Sequence, residues 1–214
     1  MTDKQTKYST SGLTEAESEP GSGGEVLRNL QGITTRHEME FAETLELACV
    51  IEDAIDNFGP DHRFTAADLC KLHQQWLGTI YSWAGSYRQV MMSKSGFCFA
   101  APAHIPALMN DFETSVLARY TPCQFTKTSD ITLPLAVVHV ELVLIHPFRE
   151  GNGRLARLLT TLMALQSGLP ILEFSLLDAE RERYFTAVRA GMDRNYGLMQ
   201  QLFNEVIKMS VSKN

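Results

Sequence analysis

Residues 144–159 read LIHPFREGNGRLARLL. An apolar run stops on a histidine and a proline, passes through Gly-Asn-Gly, and resumes with two arginines among leucines. Pro147 disfavours helix at the residue before it, so His146 stands at the C-terminal end of one helix. Asn152 or Gly153 opens the next, with Leu155, Leu158, Leu159, Leu162 and Met163 facing inward at helical spacing until Gly168 and Pro170. The first turn of a helix carries unpaired N–H groups and a partial positive charge, a ready site for phosphate. Gly151 and Gly153 have no side chain to hold a phosphate away from the backbone. Arg154 and Arg157 are three apart and share a helix face, where two guanidiniums can grip a polyphosphate. Glu150 is a hard oxygen ligand beside that cradle, suited to a Mg²⁺ shared with the substrate's phosphates. His146 is then the general base for a hydroxyl attacking phosphorus.

Taken singly, each residue has a plainer use. A histidine near a helix end is usually a cap or a packing residue, Asn152 an N-cap, Gly151 a site of positive φ, and Phe148 core. Glu150 beside two arginines could be a surface ion-pair cluster of small energetic value. Their concentration in one short stretch is what favours phosphoryl-type transfer.

The rest of the chain suits a helical scaffold for this loop. It has 214 residues, 44% apolar and 21% charged, enough for one core with an appendage. A net charge of −6 gives no footprint for direct nucleic-acid or anionic-membrane binding. Cys49, Cys70, Cys98 and Cys123 are widely spaced, with no CxxC, and read as reduced thiols of a cytoplasmic protein. There is no secretory signal, and the most apolar run, LPLAVVHVELVLIHPF, is too short to span a bilayer. Residues 1–25 are poor in apolar side chains and read as a mobile tail, with one short helical piece around Leu13–Glu17. Helices are expected over 36–57, with Met39, Ala42, Leu45, Ala48 and Ile55 near helical spacing, and after an N-cap at Thr65 with Asp68 as its box partner. Others are expected over 104–119, after a cap at Asp130 with Pro134 near the first turn, near 178–192 and over 197–209. Within 87–101, SKSG between two aromatic-rich arms reads as a β-hairpin. The fold class is therefore all-α, a compact helical domain over 26–210 with a small β-hairpin flap.

HPFREGNGR, residues 146–154, matches at every defined position the signature H-x-F-x-[D/E]-G-N-[G/K]-R of the Fic (filamentation induced by cAMP) family. LARLL then supplies the second arginine often seen three residues on. Residues 80–109 resemble the family's flap region, and residues 26–47 are similar to the first helix of single-domain bacterial members. The resemblance implies a protein adenylyltransferase that moves AMP from ATP to a Tyr, Thr or Ser hydroxyl of a target protein, releasing pyrophosphate. It implies that His146 is the base, Glu150 the Mg²⁺ ligand, and Gly151, Asn152 and Gly153 the anion hole. Arg154 and Arg157 would position the β- and γ-phosphates, and Phe148 would anchor the loop. Met91, Met92, Ser93, Lys94 and Ser95 would form the edge on which an extended target segment docks. Tyr184 and Asn195 lie where the family builds its adenine pocket.

Family members are often restrained by a helix bearing [S/T]-x-x-x-E-[G/N]. SGLTEA (Ser11, Glu15) and TTRHEM (Thr34, Glu38) have its first two elements only. A separate small antitoxin chain is the favoured inhibitor, and a degenerate Ser11/Glu15 version in the tail is the alternative. Similar bacterial toxins modify type II topoisomerase ATPase subunits, which makes that subunit the implied target. Three rival readings stand beside this one. A Doc-type protein kinase has Lys where this chain has Gly153, and on the same fold a few members move UMP or phosphocholine instead. A metal-dependent nuclease or phosphodiesterase would use His139, His146, Glu150 and Asn152. A nucleotide-binding interaction module would leave the motif idle.

Overall fold

The computed structural model of the chain describes residues 12–94, 96–125 and 127–213. Its centre is the helix α5 (Thr128–Ile145), which packs against α6 (Asn152–Gln166) and α9 (Gly197–Lys213). Leu135, Ala136, Val138, Val140 and Leu142 of α5 are completely buried. A helix that is apolar all round needs protein on every side, so α5 is the rod around which the others assemble. Each such aliphatic side chain contributes about 1.5–3 kcal/mol by leaving water.

The other elements follow in order. Helix α1 (Arg36–Asn57) starts at Thr35, whose side chain accepts from the Glu38 N–H. Helix α2 (Ala66–Leu77) starts with a complete capping box between Thr65 and Asp68. Strands β1 (Ser93–Lys94) and β2 (Phe97–Cys98) pair antiparallel, Ser93 opposite Cys98 and Lys94 opposite Phe97. Helix α3 (Ile105–Asp111) runs through a π-helical stretch, Phe112–Leu117, into α4 (Ala118–Tyr120). The short α7 (Ser175–Ala179) and α8 (Arg181–Ala190) lead to α9. The chain thus has the all-α class and the small hairpin expected of it. No helix among the described residues is long and apolar enough to cross a membrane.

Three details differ from expectation. Helix α5 begins at Thr128 with Lys127 as its N-cap, so Asp130 lies in the first turn, and Pro134 falls inside the helix. Helix α1 buries Met39, Glu43, Val50 and Ala54 and leaves Leu45 56% exposed. A carboxylate takes the inward position because Tyr81 Oη and Arg154 Nη2 both donate to it, at 2.8 and 2.6 Å. Residues 12–25 were expected to be mobile, yet they are folded onto the domain; residues 1–11 lie outside the described part. Polar side chains do the work that apolar burial could not. The Glu19 carboxylate accepts from Asn29 N–H at 3.1 Å, and Asn29 bridges Leu27 and Ile33 through their carbonyls. Leu30 N–H then donates to the Ile80 carbonyl at 2.8 Å, which ties the segment to the core. The helical piece around Leu13–Glu17 exists as a 3₁₀ turn over Thr14–Ala16, and Glu15 in it is buried.

Candidate active site

The loop from His146 to Gly151 joins α5 to α6, and its backbone is set by several side chains together. Phe148 is completely buried and stacks on His73 of α2, ring centroids 4.0 Å apart. Asn152 closes the loop on itself: its Oδ1 accepts from Phe148 N–H at 2.9 Å and its Nδ2 donates to the Phe148 carbonyl at 2.7 Å. Its carboxamide is therefore a brace, and only its backbone N–H is left to serve an anion hole. Asn152→Ala would leave a buried donor and a buried acceptor unpaired, and is expected to cost about 2–4 kcal/mol in urea unfolding.

His73 braces the same loop from outside. Gly85 N–H donates to its Nδ1 at 2.8 Å, so Nε2 carries the proton, which faces the Glu150 carbonyl at 3.1 Å. Burial, with a smaller push from Arg154, lowers His73 to about 4 and keeps it neutral.

His146 caps α5 with φ of 53°, a left-handed conformation that turns the chain out of the helix. Its Nδ1 lies 3.1 Å from the Val143 carbonyl, an acceptor only, so Nδ1 holds the proton and Nε2 keeps its lone pair. The imidazole stacks on Phe99 of the hairpin at 3.7 Å. Burial first, then the cations Arg88 and Lys94, lower its pKa to about 4, against the Val143 carbonyl, which favours the charged form. Near neutral pH it is a neutral base. The cations that matter to it are thus Arg88 and Lys94 rather than the two motif arginines.

Three histidines are held neutral, the fully buried His73 and His139 and the half-buried His146, since His139 is lowered to about 3, mainly by burial. The unfolded chain takes up these protons below about pH 6.5, while the folded chain resists until about pH 4. Stability is then lost as pH falls through that window, by up to about 4 kcal/mol per pH unit if all three lag together. Unfolding midpoints measured between pH 7 and 4 check this. Proton-abstracting activity, in contrast, should stay flat from pH 8 to about pH 5.5, because His146 remains neutral there.

At the start of α6, Gly151 has φ of 81°, and a Cβ there would sit 2.6 Å from the Trp76 ring. A Cβ on Gly153 would meet nothing within 4 Å. The space over Gly153 is therefore open, and a side chain there would be felt by a ligand and not by the fold. Glu150 accepts from Gly151 N–H at 2.9 Å through Oε1, and that oxygen lies 3.5 Å from Arg154. Its side chain is 42% exposed, so it can still reach a cation. Among the described residues no three carboxylate, histidine or cysteine side chains group to hold a metal by themselves. One accessible carboxylate beside an anion cradle fits Mg²⁺, which takes one or two carboxylates and keeps the rest of its shell for water and phosphate.

The two motif arginines part company. Arg154 lies over the Trp76 ring at 4.7 Å and pairs with Glu43 at 2.6 Å. Arg157 makes a two-pronged pair with Asp178 of α7 at 3.0 and 2.8 Å. A polyphosphate would compete with these carboxylates for both guanidiniums.

The hairpin lies over the site, with the Lys94 ammonium 5.2 Å from the Phe185 ring centre. Met91, Met92 and Ser93 line a groove of about 380 Å³ together with Ala16, Val90 and Arg149. Ser95 falls outside the described residues. Tyr184 is buried with its hydroxyl 2.9 Å from His139 Nε2, whereas Asn195 is exposed and accepts from Gly197 N–H at 3.2 Å. Tyr184 thus lies in the core and Asn195 on the surface just before α9. Of the paired sequence candidates Ser11 and Glu15, Ser11 lies outside the described residues. Glu15 accepts from Gln89 N–H at 2.6 Å, at the root of the hairpin and away from both arginines' partners.

Known proteins resemble this chain over much of its length. Residues 63–164 match the Fic/DOC family. A probable protein adenylyltransferase, y4lH of Sinorhizobium fredii, is 27% identical over 166 residues, 78% of this chain and 83% of that one. The protein adenylyltransferase VbhT of Bartonella schoenbuchensis is 27% identical over 186 residues, 87% of this chain and 37% of VbhT. The crystal structure of the BepC effector of Bartonella tribocorum with bound AMPPNP superposes with a TM-score of 0.71 at 22% identity, covering 86% of this chain and 93% of BepC. The matched residues 63–164 are similar to the Fic/DOC family and hold the loop described above.

Proposed function

We propose that this chain is a protein adenylyltransferase, which transfers AMP from ATP to a hydroxyl of a target protein and releases pyrophosphate. The observation that carries the reading is His146: half-buried, neutral, its Nδ1 proton held by Val143 and its Nε2 lone pair directed away from that bond, one loop away from an open helix start. Two relatives named protein adenylyltransferase support it.

Nε2 of His146 takes the proton of a Tyr, Thr or Ser hydroxyl as its oxygen attacks the α-phosphorus. The bond from that phosphorus to the bridging oxygen breaks, and pyrophosphate leaves. Backbone N–H groups at the start of α6 face the charge that develops on the phosphoryl oxygens. Arg154 and Arg157, drawn from Glu43 and Asp178, hold the β- and γ-phosphates. When Mg²⁺ is bound it neutralises phosphate charge, and Glu150 is the residue that would hold it. Catalysis here is mainly positioning and charge stabilisation.

The open space over Gly153 favours AMP transfer over a Doc-like kinase, because a long side chain there would occupy the α-phosphate's place. The target edge is the groove at Met91–Ser93. A bacterial toxin-type role, with a type II topoisomerase ATPase subunit as target and a small separate inhibitor chain, extends the reading. Glu15 supports the separate inhibitor, since its carboxylate is engaged at Gln89. Free cysteines fit a reducing cytoplasm. Tandem mass spectrometry of a bacterial lysate treated with the chain, ATP and Mg²⁺ tests the proposal. Adenylyl groups on protein hydroxyls are expected; phosphoryl groups in their place would refute it.

A further inference from the structure

Arg88 has no part in the motif, yet its side chain donates three hydrogen bonds, all to backbone carbonyls. It is 2% exposed. Its Nε donates to the His146 carbonyl at 2.7 Å, its Nη1 to the Val90 carbonyl at 2.6 Å and its Nη2 to the Ala100 carbonyl at 2.6 Å. Its own N–H donates to the Pro147 carbonyl at 2.9 Å. Val90 and Ala100 flank the hairpin on its two arms, so one planar guanidinium bonds both arms and the catalytic loop at once.

We infer that Arg88 is a positioning residue that registers the target-docking hairpin on His146, so that a hydroxyl presented at Met91–Ser93 meets the base. The inference rests on the transferase reading above. The geometry needs a fork: the carbonyls are reached from three different nitrogens, whereas a lysine ends in a single one. The arrangement is supported from the N-terminal side. Glu15, a charge that stabilises the Arg88 cation, accepts from the next residue's N–H, and its carbonyl accepts from Arg149 Nε at 2.8 Å. A short polar strap thus joins the hairpin root to the loop from which Phe148 is anchored. His146 gains from both sides, since its carbonyl is held by Arg88 while its ring stacks on Phe99, just past β2.

The test compares wild-type chain with Arg88→Lys and Arg88→Gln in three readouts. Amide hydrogen exchange should quicken on the order of tenfold or more at Phe99, whose N–H bonds the Met92 carbonyl, and at neighbouring hairpin amides, while α5 and α6 amides stay as in wild type. Transfer of label from α-³²P-ATP to lysate protein at saturating ATP should fall about 10²-fold in both variants, the usual cost of misplacing a reacting group. The ATP dissociation constant, measured by calorimetry with Mg²⁺, should change less than about twofold, because the cradle lies on α6. Wild-type transfer rates in Arg88→Lys would overturn the inference, as would unchanged hairpin exchange or a loss that ATP affinity alone accounts for. Should the variants fail to fold, ¹⁵N NMR of the wild-type chain decides: a slowly exchanging Arg88 Nε–H supports the tether, and one that exchanges as fast as surface arginines overturns it. Wild-type chain that moves no α-label would instead refute the transferase reading, and with it the role assigned to the tether. Exchange and NMR would still report whether the tether itself exists.

Discussion

His146→Ala should lower transfer by about 10²–10⁴-fold and leave ATP binding within about twofold of wild type. The variant loses the group proposed to take the hydroxyl proton, while the helix start, Glu150 and both arginines keep their places on α6 and its preceding loop. A general base acts in the transition state, so its removal should appear in the rate and not in nucleotide affinity. The fold pays a smaller cost. Alanine must hold the left-handed φ of 53° at the end of α5, and the stack on Phe99 disappears. That combination should lower stability by about 1–2 kcal/mol, well short of unfolding the chain. Label transfer from α-³²P-ATP, calorimetric ATP titration and a thermal melt on one preparation separate these effects. A variant with wild-type transfer would remove His146 from the mechanism.

Gly151→Ala attacks the same loop through its shape. A left-handed φ of 81° strains any residue with a Cβ, and that Cβ would lie 2.6 and 2.8 Å from ring carbons of Trp76. Trp76 is completely buried and donates from Nε1 to the Glu43 carbonyl at 2.7 Å, so it has no free space to retreat into. Strain and overpacking together should cost about 2–5 kcal/mol. The loop that yields carries Glu150 and the α6 N-terminus with it, so transfer should also fall by about 10²-fold or more. Gly153→Ala makes the contrast. Its Cβ meets nothing of the protein, so the melting temperature should hold or rise slightly while transfer falls. Urea unfolding of both variants checks the first half of the contrast and label transfer the second. Equal stability losses would show that Gly153 is a structural glycine and weaken the case for an open phosphate site.

Those two glycines also show what could be read from residue order. Gly151 and Gly153 sit two apart in one motif, and nothing local says that one is hemmed in by Trp76 and the other faces open space. The loop as a whole was legible because helix stop, base, carboxylate and helix start are neighbours in the chain. The amphipathic helices and the hairpin were legible for the same reason, since periodicity and turn residues are short-range signals. What stayed hidden depends on distant pairs. Glu43 is buried only because Tyr81 and Arg154 reach it, and its place in α1 breaks the apolar stripe that periodicity seeks. His73 and Arg88 work through backbone carbonyls of residues far along the chain, and carbonyls leave no trace in composition. The segment 12–25 folds on hydrogen bonds of Glu19 and Asn29, which a count of apolar residues cannot register. Tyr184 read equally well as a pocket or a core residue, and its burial against His139 of α5 depends on a partner 45 residues away.

The most direct measurement of the central claim is a paired labelling experiment. The chain is incubated with Mg²⁺ and a bacterial lysate, once with α-³²P-ATP and once with γ-³²P-ATP, with Glu150→Ala in parallel. A protein band labelled from the α position alone, and absent with Glu150→Ala, is the predicted result. Label arriving from the γ position alone would contradict it and make the chain a kinase on the same fold.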